Sequence, residues 1–446
     1  MIKNKKSRKK VVVVGGGYIG AVLSSVIAEK GAEVTVIDIN QKIIDCYKQG
    51  VSPVNEPGLD KLIKKVVKNG NLKATCDFSV IQESQVILIT VGTPLNEDGT
   101  ANKSAINSAV ESIKPFIKDG QLVIVKSTVP PLTTENDVAI PLRKKANINV
   151  AFCPERLAEG NAIDECRKIP VVIGGIDQES NIKAEEFWKE TLGINCITLQ
   201  TSRAAELVKL ADNAWIDLNI ALAFELAKVS DHLEIDVLEV IKAANSLPKG
   251  QSFVNILQPS LGVGGYCLTK DPLFLNAFSK KFNSSFKTAL TSRNVNNESP
   301  IYAVNRLNEA LINSFKNKKP ETIKIAILGL SFKSNTGDCR FTPTLPAVKK
   351  LLEYGYKLKT FDKNITNEDY ASFGDVIRVN SINDALKDSD AVAFFTGHNE
   401  FQNISIDTLK DNLSSGAVIF DGRMFFSREK IIQFENAGFV FKGVGR

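Results

Sequence analysis

The sequence has 446 residues, which is too long for a single hydrophobic core and predicts two or three domains. An apolar fraction of 43% is ordinary for a globular protein, and a net charge of only +6 gives little support to nucleic-acid binding. Residues 1–10 are predicted to be a disordered basic leader. Three glycines interrupt the apolar run that follows, which favours a buried strand, turn and helix over a membrane segment.

The seven cysteines are scattered along the chain and form no CxxC pair. This pattern favours reduced thiols, and therefore a cytoplasmic location. With only two histidines in the sequence, a Cys/His metal site is not expected.

A dinucleotide fingerprint is predicted near the start of the chain. The β-branched run Val11–Val14 predicts a buried parallel strand, and a glycine-rich turn follows it and opens an apolar helix. A second strand then ends in an acid that would bind a ribose 2′-hydroxyl, which favours NAD over NADP. The predicted NAD contacts in this region are Gly15, Gly17, Tyr18, Ile19, Gly20 and Asp38.

Three more strands are predicted at Gln85–Thr90, Gln121–Val125 and Asn149–Phe152. Open α/β sheets bind ligands at the carboxyl ends of their strands, so the loops that follow are expected to form a ligand rim. For the threonines in these loops, capping of a turn is an equally good explanation, and the glutamates are balanced between solvation and function. The candidate residues are Thr93, Thr128, Glu155, Arg156 and Glu159.

One uninterrupted helix is predicted from Ser202, as its N-cap, to about Leu233. It is apolar on most faces, which indicates burial or a dimer contact. A polar stripe follows one face and is either solvated or lines a cavity. Two short helices are predicted after this helix. The stripe consists of Glu206, Lys209, Asn213 and Asp217.

The segment Gly262–Asp271 combines three glycines with a thiol, a cation and an acid. Glycine lets the backbone approach a ligand closely, and a nucleophilic thiol needs a nearby cation and an acid/base group. A tight turn with a buried cysteine would also explain the segment. The candidates here are Gly264, Cys267, Lys270 and Asp271.

The last third repeats the pattern of the first. A strand over Lys324–Gly329 and a second strand ending at Asp362 predict another doubly wound domain, but the fingerprint glycines are missing, so no second dinucleotide is indicated. Three cations, Lys333, Arg340 and Arg423, are predicted at its rim. For each alone, surface solubility is the better explanation, but three at corresponding rim positions favour binding of nucleotide phosphates.

The predicted fold is therefore α/β, with two doubly wound Rossmann-like domains joined by a long central helix and a helical middle region. The expected boundaries are 11–200 for the NAD-binding domain, 201–315 for the central region and 320–446 for the last domain.

Taken together, these motifs resemble the UDP-sugar 6-dehydrogenase family from Val11 to Arg446. The resemblance implies NAD-dependent four-electron oxidation of the sugar C6 alcohol to a uronate, through a thiohemiacetal and a thioester on Cys267. It also implies a UDP-sugar substrate, a homodimer formed through the central helix, a role in surface polysaccharide synthesis, and no nucleic-acid or membrane partner.

By the same resemblance, Lys209 and Asn213 stabilise oxyanion charge, Asp271 and Thr128 position water, and Glu159 is the general base for hydrolysis. Lys270, Arg340, Thr93 and Thr128 would approach NAD. The implied substrate contacts are Glu155, Arg156, Lys209, Asn213, Gly264, Lys333 and Arg423.

The residues point to more than one sugar. Arg156 and the terminal Gly443–Arg446 resemble the N-acetylhexosamine branch of the family, which favours UDP-N-acetylmannosamine or UDP-N-acetylglucosamine. Tyr266 and Lys270 depart from the pattern of that branch, and Lys270 matches the UDP-glucose enzymes. A UDP-glucose 6-dehydrogenase is therefore the second interpretation of the sequence. A non-catalytic NAD/UDP-sugar binding protein is the third, and the thiol argues against it because a binder has no need of one.

Overall fold

The computed structural model describes residues 8–446. The first part of the predicted basic leader, residues 1–7, lies outside the described residues. Of the remainder, Lys9 pairs with Glu190 at 2.6 Å and Lys10 begins the first strand. The chain divides into two compact units, one up to Asp212 with Leu273–Ser285, the other Asn213–Pro272 with Phe286–Arg446.

The first unit is built on an eight-stranded sheet. Its strands are β1 Lys10–Val14, β2 Glu33–Ile37, β3 Leu72–Thr75, β4 Val86–Ile89, β5 Leu122–Val125, β6 Asn149–Phe152, β7 Val171–Gly175 and β8 Cys196–Leu199. Their order in the sheet is β3-β2-β1-β4-β5-β6-β7-β8, and within it only β6 and β7 pair antiparallel. Its helices are α1 Tyr18–Glu29, α2 Gln41–Gln49, α3 Leu59–Lys68, α4 Ser104–Ile113, α5 Ile140–Arg143, α6 Ala162–Lys168 and α7 Gln178–Leu192. A π-helical turn, Thr134–Ala139, precedes α5, and a 3₁₀ turn spans Phe78–Glu83.

The valine run of β1 is buried because helices cover both faces of the sheet. Successive side chains of a strand point to opposite faces. Val11 and Val13 accordingly join one apolar cluster, and Val12 and Val14 join another. A strand that is buried on both sides reads as a continuous hydrophobic run, which explains why this element was predictable.

The central helix α8 spans Ser202–Leu233, as predicted, but Ser202 is not its N-cap. The hydroxyl of Thr201 accepts from Ala204 N at 3.2 Å and caps the helix, while Ser202 is buried and donates to Glu135 at 3.3 Å. The prediction of two following helices is also wrong. One helix, α9 Val237–Ala244, is followed by a hairpin of β9 Pro248–Lys249 and β10 Ser252–Phe253.

After the hairpin come α10 Asp271–Ser279 and a 3₁₀ turn at Lys280–Phe282, which belong mostly to the first unit, and then α11 Lys287–Ser314 and a 3₁₀ turn at Pro320–Thr322 in the second. The strands of the second unit's sheet are β11 Lys324–Leu328, β12 Lys357–Phe361, β13 Ile377–Arg378, β14 Ser389–Phe394, β15 Leu413–Asp421 and β16 Val440–Gly443. This six-stranded sheet has the order β13-β12-β11-β14-β15-β16 and is parallel throughout. The helices are α12 Thr344–Glu353, α13 Asn367–Ala371, α14 Ile382–Leu386, α15 Asn399–Gln402, α16 Ile406–Asn412 and α17 Arg428–Asn436.

Two doubly wound sheets with a helical segment between them in the chain confirm the predicted fold class. In each sheet the strand order reverses beside the first strand, between β1 and β4 in one and between β11 and β14 in the other. Folds of this kind bind ligands at that point of reversal. Within residues 8–446, no helix combines the length and apolar character that crossing a membrane requires.

Candidate active site

The glycine turn after β1 has the geometry of a dinucleotide site. Gly15 has a φ of +104°, which an L side chain rarely adopts, and a Cβ on Gly20 would lie 1.9 Å from the carbonyl oxygen of Gly15. Around Gly17 there is open space, and α1 begins at the next residue, Tyr18, with Ile19 beside it. Backbone N–H groups at a helix N-terminus attract phosphate, so this turn fits the pyrophosphate of NAD.

Asp38 lies beside this turn. Its carboxylate accepts from Gly16 N at 2.7 Å and from Asn40 N at 2.8 Å, and the side chain is half-buried. A carboxylate has about four lone-pair sites, so two remain for ribose hydroxyls. The residues present therefore suit NAD, while the ribose contact itself stays a prediction.

The loops after β4 and β5 are joined to each other. Thr93 is buried, and its hydroxyl donates to the carbonyl oxygen of Thr128 at 2.6 Å. Thr128 itself is half-buried. The structure thus brings these two predicted residues together, with Thr93 supporting the loop that carries Thr128.

Glu155 and Arg156 are engaged within the first unit. Glu155 is buried, with one carboxylate oxygen 3.3 Å from Nζ of Lys126 and the other accepting from Leu157 N at 2.8 Å. The guanidinium of Arg156 donates to the carbonyl oxygen of Pro170. Both groups hold the loop after β6 in place, and contact of their side chains with a substrate remains a prediction.

The polar stripe of α8 is buried, so it is not a solvated face. Glu206 accepts from Leu132 N at 2.8 Å, from Thr134 N at 2.7 Å and from the Thr134 hydroxyl at 2.6 Å. Burial raises the pKa of Glu206 to about 7, against the effect of these donors. Lys209, less than one turn further on, is 8% exposed.

In the second unit, the glycine loop that precedes Cys267 packs against the loop after β11. A Cβ on Gly264 would lie 2.4 Å from Cβ of Phe332, and one on Gly265 would lie 2.7 Å from the Phe332 ring. The N–H of Gly265 donates to the carbonyl oxygen of Arg340 at 3.0 Å. Only glycine permits this approach, which explains the glycines of the motif.

Cys267 is exposed at the end of this loop, so the interpretation as a buried thiol is wrong. Its carbonyl oxygen accepts from Asp271 N at 2.9 Å, which folds the segment into a turn. The fully buried carboxylate of Asp271 accepts from Nδ2 of Asn213 at 2.5 Å and from Nζ of Lys270 at 2.5 Å. Lys270 also lies over the Tyr266 ring at 5.2 Å. An exposed thiol thus adjoins a hydrogen-bonded chain of amide, carboxylate and ammonium groups.

The predicted cations belong to the loops after β11 and β15. Arg423 donates to the carbonyl oxygen of Phe332 and to the Ser260 hydroxyl at 3.5 Å. Lys333 is half-buried, and Arg340 is exposed with its Nε 2.9 Å from Asp338. The N–H of Leu261 donates to Gly422 O at 2.5 Å, so the loop leading to Cys267 is hydrogen-bonded to both rim loops.

Glu56 was not singled out from the sequence, yet it supports one predicted site residue, Tyr18, and the loop of another, Glu159. Its carboxylate accepts from the Tyr18 hydroxyl at 2.6 Å and from Gly160 N at 2.7 Å. The available signal was an acid before a Pro-Gly turn, which many surface loops share. Lys126 and the anchoring role of Glu206 were missed because their partners are distant in sequence.

Three family models match the chain, namely the NAD binding domain over residues 9–192, the central domain over 203–298 and the UDP binding domain over 326–428 of the UDP-glucose/GDP-mannose dehydrogenase family. A UDP-N-acetyl-D-mannosamine dehydrogenase of Methanocaldococcus jannaschii is 34% identical over 94% of this chain and 93% of its own length. The chain belongs to the UDP-glucose/GDP-mannose dehydrogenase family. It is an NAD-dependent UDP-sugar dehydrogenase.

Two solved structures of this family match almost the whole chain. The UDP-D-ManNAc dehydrogenase of Pyrococcus horikoshii has a TM-score of 0.86 and 30% identity, covering 98% of this chain and 99% of its own. A UDP-glucose dehydrogenase of Pyrobaculum islandicum also has a TM-score of 0.86, with 25% identity over 100% of this chain and 99% of its own. The shared fold therefore does not distinguish the two substrates.

Proposed function

We propose that this dehydrogenase oxidises C6 of a UDP-N-acetylhexosamine, UDP-N-acetylmannosamine or UDP-N-acetylglucosamine, to the uronate in a four-electron reaction. The observation that carries the proposal is the exposed thiol of Cys267. It ends a glycine loop that is hydrogen-bonded to the cation-bearing rim of the second sheet. Beside it lies the buried chain of Asn213, Asp271 and Lys270.

In the first oxidation, Lys209 and Asn213 stabilise the negative charge that develops on the C6 oxygen as its proton leaves. Both lie on one face of α8, and each is less than one-tenth exposed, so their donors act where water is scarce. The turn of Gly15, Gly17 and Gly20, with Asp38 at the ribose, would hold NAD, which would supply the hydride acceptor for both oxidations.

In the second half of the reaction, Cys267 supplies the nucleophile that an aldehyde requires. Its thiolate forms a bond to C6, the carbonyl electron pair moves to oxygen, and loss of hydride leaves a thioester. Glu159 then takes a proton from water as the water adds to C6, and the C–S bond breaks to return the thiolate. Alcohol, two NAD⁺ and water thus become carboxylate, two NADH and three protons.

Substrate choice within the family rests on a few features. The N-acetylmannosamine specificity in the names of the Methanocaldococcus and Pyrococcus relatives, together with Arg156 after Glu155, supports an N-acetylhexosamine. Lys270, which matches the UDP-glucose enzymes, supports UDP-glucose as the second candidate. We place UDP-N-acetylmannosamine first because the chain is 34% and 30% identical to these two N-acetylmannosamine enzymes and 25% identical to the Pyrobaculum UDP-glucose enzyme.

Replacement of the thiol tests the chemistry directly. The Cys267→Ala variant is expected to bind UDP-sugar with unchanged affinity and to form no uronate, measured by calorimetric titration and by mass spectrometry of the product. Cys76→Ala, which removes the other exposed thiol, is the matched control and is expected to turn over normally. Uronate formation by Cys267→Ala at the wild-type rate would exclude the thioester route.

We further infer that the enzyme is a homodimer formed through α8. Apolar side chains on this helix are exposed in the single chain, although a stripe of this kind is normally covered. Leu222→Glu is expected to yield a monomer by sedimentation, and an unchanged dimer would place the contact elsewhere. The exposed apolar residues are Leu207, Trp215, Leu218, Leu222, Val229 and Leu233.

A further inference from the structure

The loop that carries Glu159 is held by carboxylates on both sides of that residue. Leu157 N donates to Glu155 at 2.8 Å, and Ala158 N donates to Glu165 at 2.6 Å. Gly160, with a φ of +90°, donates its N–H to Glu56. Acceptors for backbone N–H groups that follow each other this closely fix the course of the loop.

Glu56 makes the longest-range of these contacts. It lies in the loop before α3, 104 residues from Gly160, and is only 6% exposed. One carboxylate oxygen accepts from Gly160 N at 2.7 Å, and the other accepts from Ala162 N at 2.8 Å. The two hydrogen bonds fix the backbone immediately after Glu159, at the point where α6 begins.

Tyr18, the first residue of α1, fixes the carboxylate from the other side. Its hydroxyl donates to Glu56 at 2.6 Å, to the same oxygen that accepts from Gly160 N. Burial, and then the hydrogen bond to Glu56, raise the pKa of the Tyr18 phenol far above its usual value. The phenol therefore stays protonated at neutral pH and acts as a donor.

We propose that Glu56 is a positioning residue for thioester hydrolysis, which aligns the general base Glu159 through the N–H groups of Gly160 and Ala162. The proposal rests on the proposed function, since it takes Glu159 as the base that activates water. The hydrogen-bond partners of Glu56 are Tyr18, Gly160 and Ala162, so it acts through the loop and not on a reacting atom. Its contribution is to the hydrolytic step and not to either hydride transfer.

Glu56→Gln places an amide where the carboxylate accepted three hydrogen bonds. One side of the group becomes a donor and faces an N–H that needs an acceptor, so the loop must shift. A misplacement of about 1 Å can slow a reaction about 100-fold. We therefore expect hydrolysis in Glu56→Gln to slow about 10- to 100-fold, with the two hydride transfers little changed.

The test is a rapid-quench experiment with the full-length enzyme, NAD⁺ and UDP-N-acetylmannosamine, or UDP-glucose if that is the substrate turned over. Wild-type enzyme is expected to show no accumulating adduct. Glu56→Gln is expected to give a burst of two NADH per site, a slow steady state, and an adduct on Cys267 by intact mass. Glu159→Gln is the positive control and is expected to give the same adduct.

Glu29→Gln is the matched structural control. Glu29 accepts from Arg167 of α6 and from Lys65 at 3.1 Å, so it anchors the same helix without touching the loop. It is expected to leave the ratio of burst to steady state unchanged. Glu56→Asp keeps the charge but shortens the side chain, so hydrolysis of the thioester is expected to slow in the same way but by a smaller factor. This second variant keeps the proposal testable if Glu56→Gln does not fold.

The positioning role would be overturned if both Glu56 variants slowed the NADH burst and the steady-state rate by the same factor and formed no adduct on Cys267. Absence of an adduct in Glu159→Gln, or normal turnover by Cys267→Ala, would instead overturn the proposed function. The two failures are therefore separable within one set of variants.

Discussion

The two sheets end their second strands in the same way. Asp38 follows β2, and its carboxylate accepts the N–H of Gly16 at 2.7 Å and of Asn40 at 2.8 Å. Asp362 follows β12 and accepts the N–H of Leu330 at 2.8 Å and of Asn364 at 2.9 Å. In each sheet the acid therefore ties down the glycine turn after the first strand.

The environments of the two acids then diverge. Asp38 stays half-buried, whereas Asp362 is 3% exposed and also accepts from Ser331 N. Nε2 of His398 lies 3.0 Å from Asp362, and its Nδ1 accepts from Asn335 N, so Nε2 is the ring nitrogen that carries the proton. The second acid is fully used inside the protein, and such an acid indicates a ribose contact only where it remains accessible.

Loss of the buried acid should have the largest effect. Asp362→Ala removes the acceptor for three backbone N–H groups and a buried histidine, and we expect it to destabilise the second unit by about 3 kcal/mol or more. Calorimetric unfolding of the full chain measures this loss. Asp38→Ala, the matched control, should cost about 1 kcal/mol, because water can reach the groups it leaves. Equal losses of stability in the two variants would show that the difference in burial between Asp38 and Asp362 does not matter for stability.

Buried acids in the two units should also respond to pH with opposite sign. Burial raises the pKa of Glu206 to about 7, so its contribution to stability is complete below about pH 4.5 and is lost as the pH rises through 7. We expect Glu206→Gln to gain up to about 3 kcal/mol over wild type between pH 5 and 8. A constant difference over that range would contradict the assignment.

Asp362 provides the contrasting case. Burial alone would raise the pKa of Asp362, but the hydrogen bond and charge of His398, together with the N–H groups of Leu330 and Asn364, outweigh burial and lower the pKa. Its contribution is therefore present above about pH 4 and is lost only as the pH falls through the lowered value. The stability difference between wild type and Asp362→Asn should stay constant from pH 8 to 5 and narrow in stronger acid.

The smallest effect concerns ligand affinity at the accessible acid. Asp38→Ala should weaken NAD binding about 10-fold, as loss of one or two charge-assisted hydrogen bonds implies, and leave UDP binding unchanged. Titration of the apo-protein with each nucleotide measures both affinities. Equal weakening of UDP binding would indicate a general loss of structure.

Much of the fold was accessible from local sequence patterns. The valine run of β1, the glycine turn and the uninterrupted α8 each carry their signal within a few adjacent residues. The spacing of Asp362 repeats that of Asp38, but the pattern contains nothing about His398, which comes from a later loop. The burial of Asp362 therefore could not be predicted from the local sequence pattern and is seen only in the tertiary structure.

The same limit applies to the site. The glycines, Cys267 and Asp271 were predictable because their chemistry lies in one stretch of sequence, and the contact of Asp271 with Asn213 appears only in the structure. Ser202 was mistaken for the N-cap because its neighbour Thr201 has an equivalent hydroxyl. Glu56 was missed because its partners are far away in the chain.

The most direct test of the proposed four-electron chemistry is the yield of NADH per UDP-sugar, with UDP-N-acetylmannosamine, UDP-N-acetylglucosamine and UDP-glucose assayed separately. Two NADH and one uronate are expected for each molecule of an N-acetylhexosamine substrate, with UDP-N-acetylmannosamine as the preferred one. One NADH per sugar with release of an aldehyde, or turnover of none of the three, would contradict the four-electron mechanism.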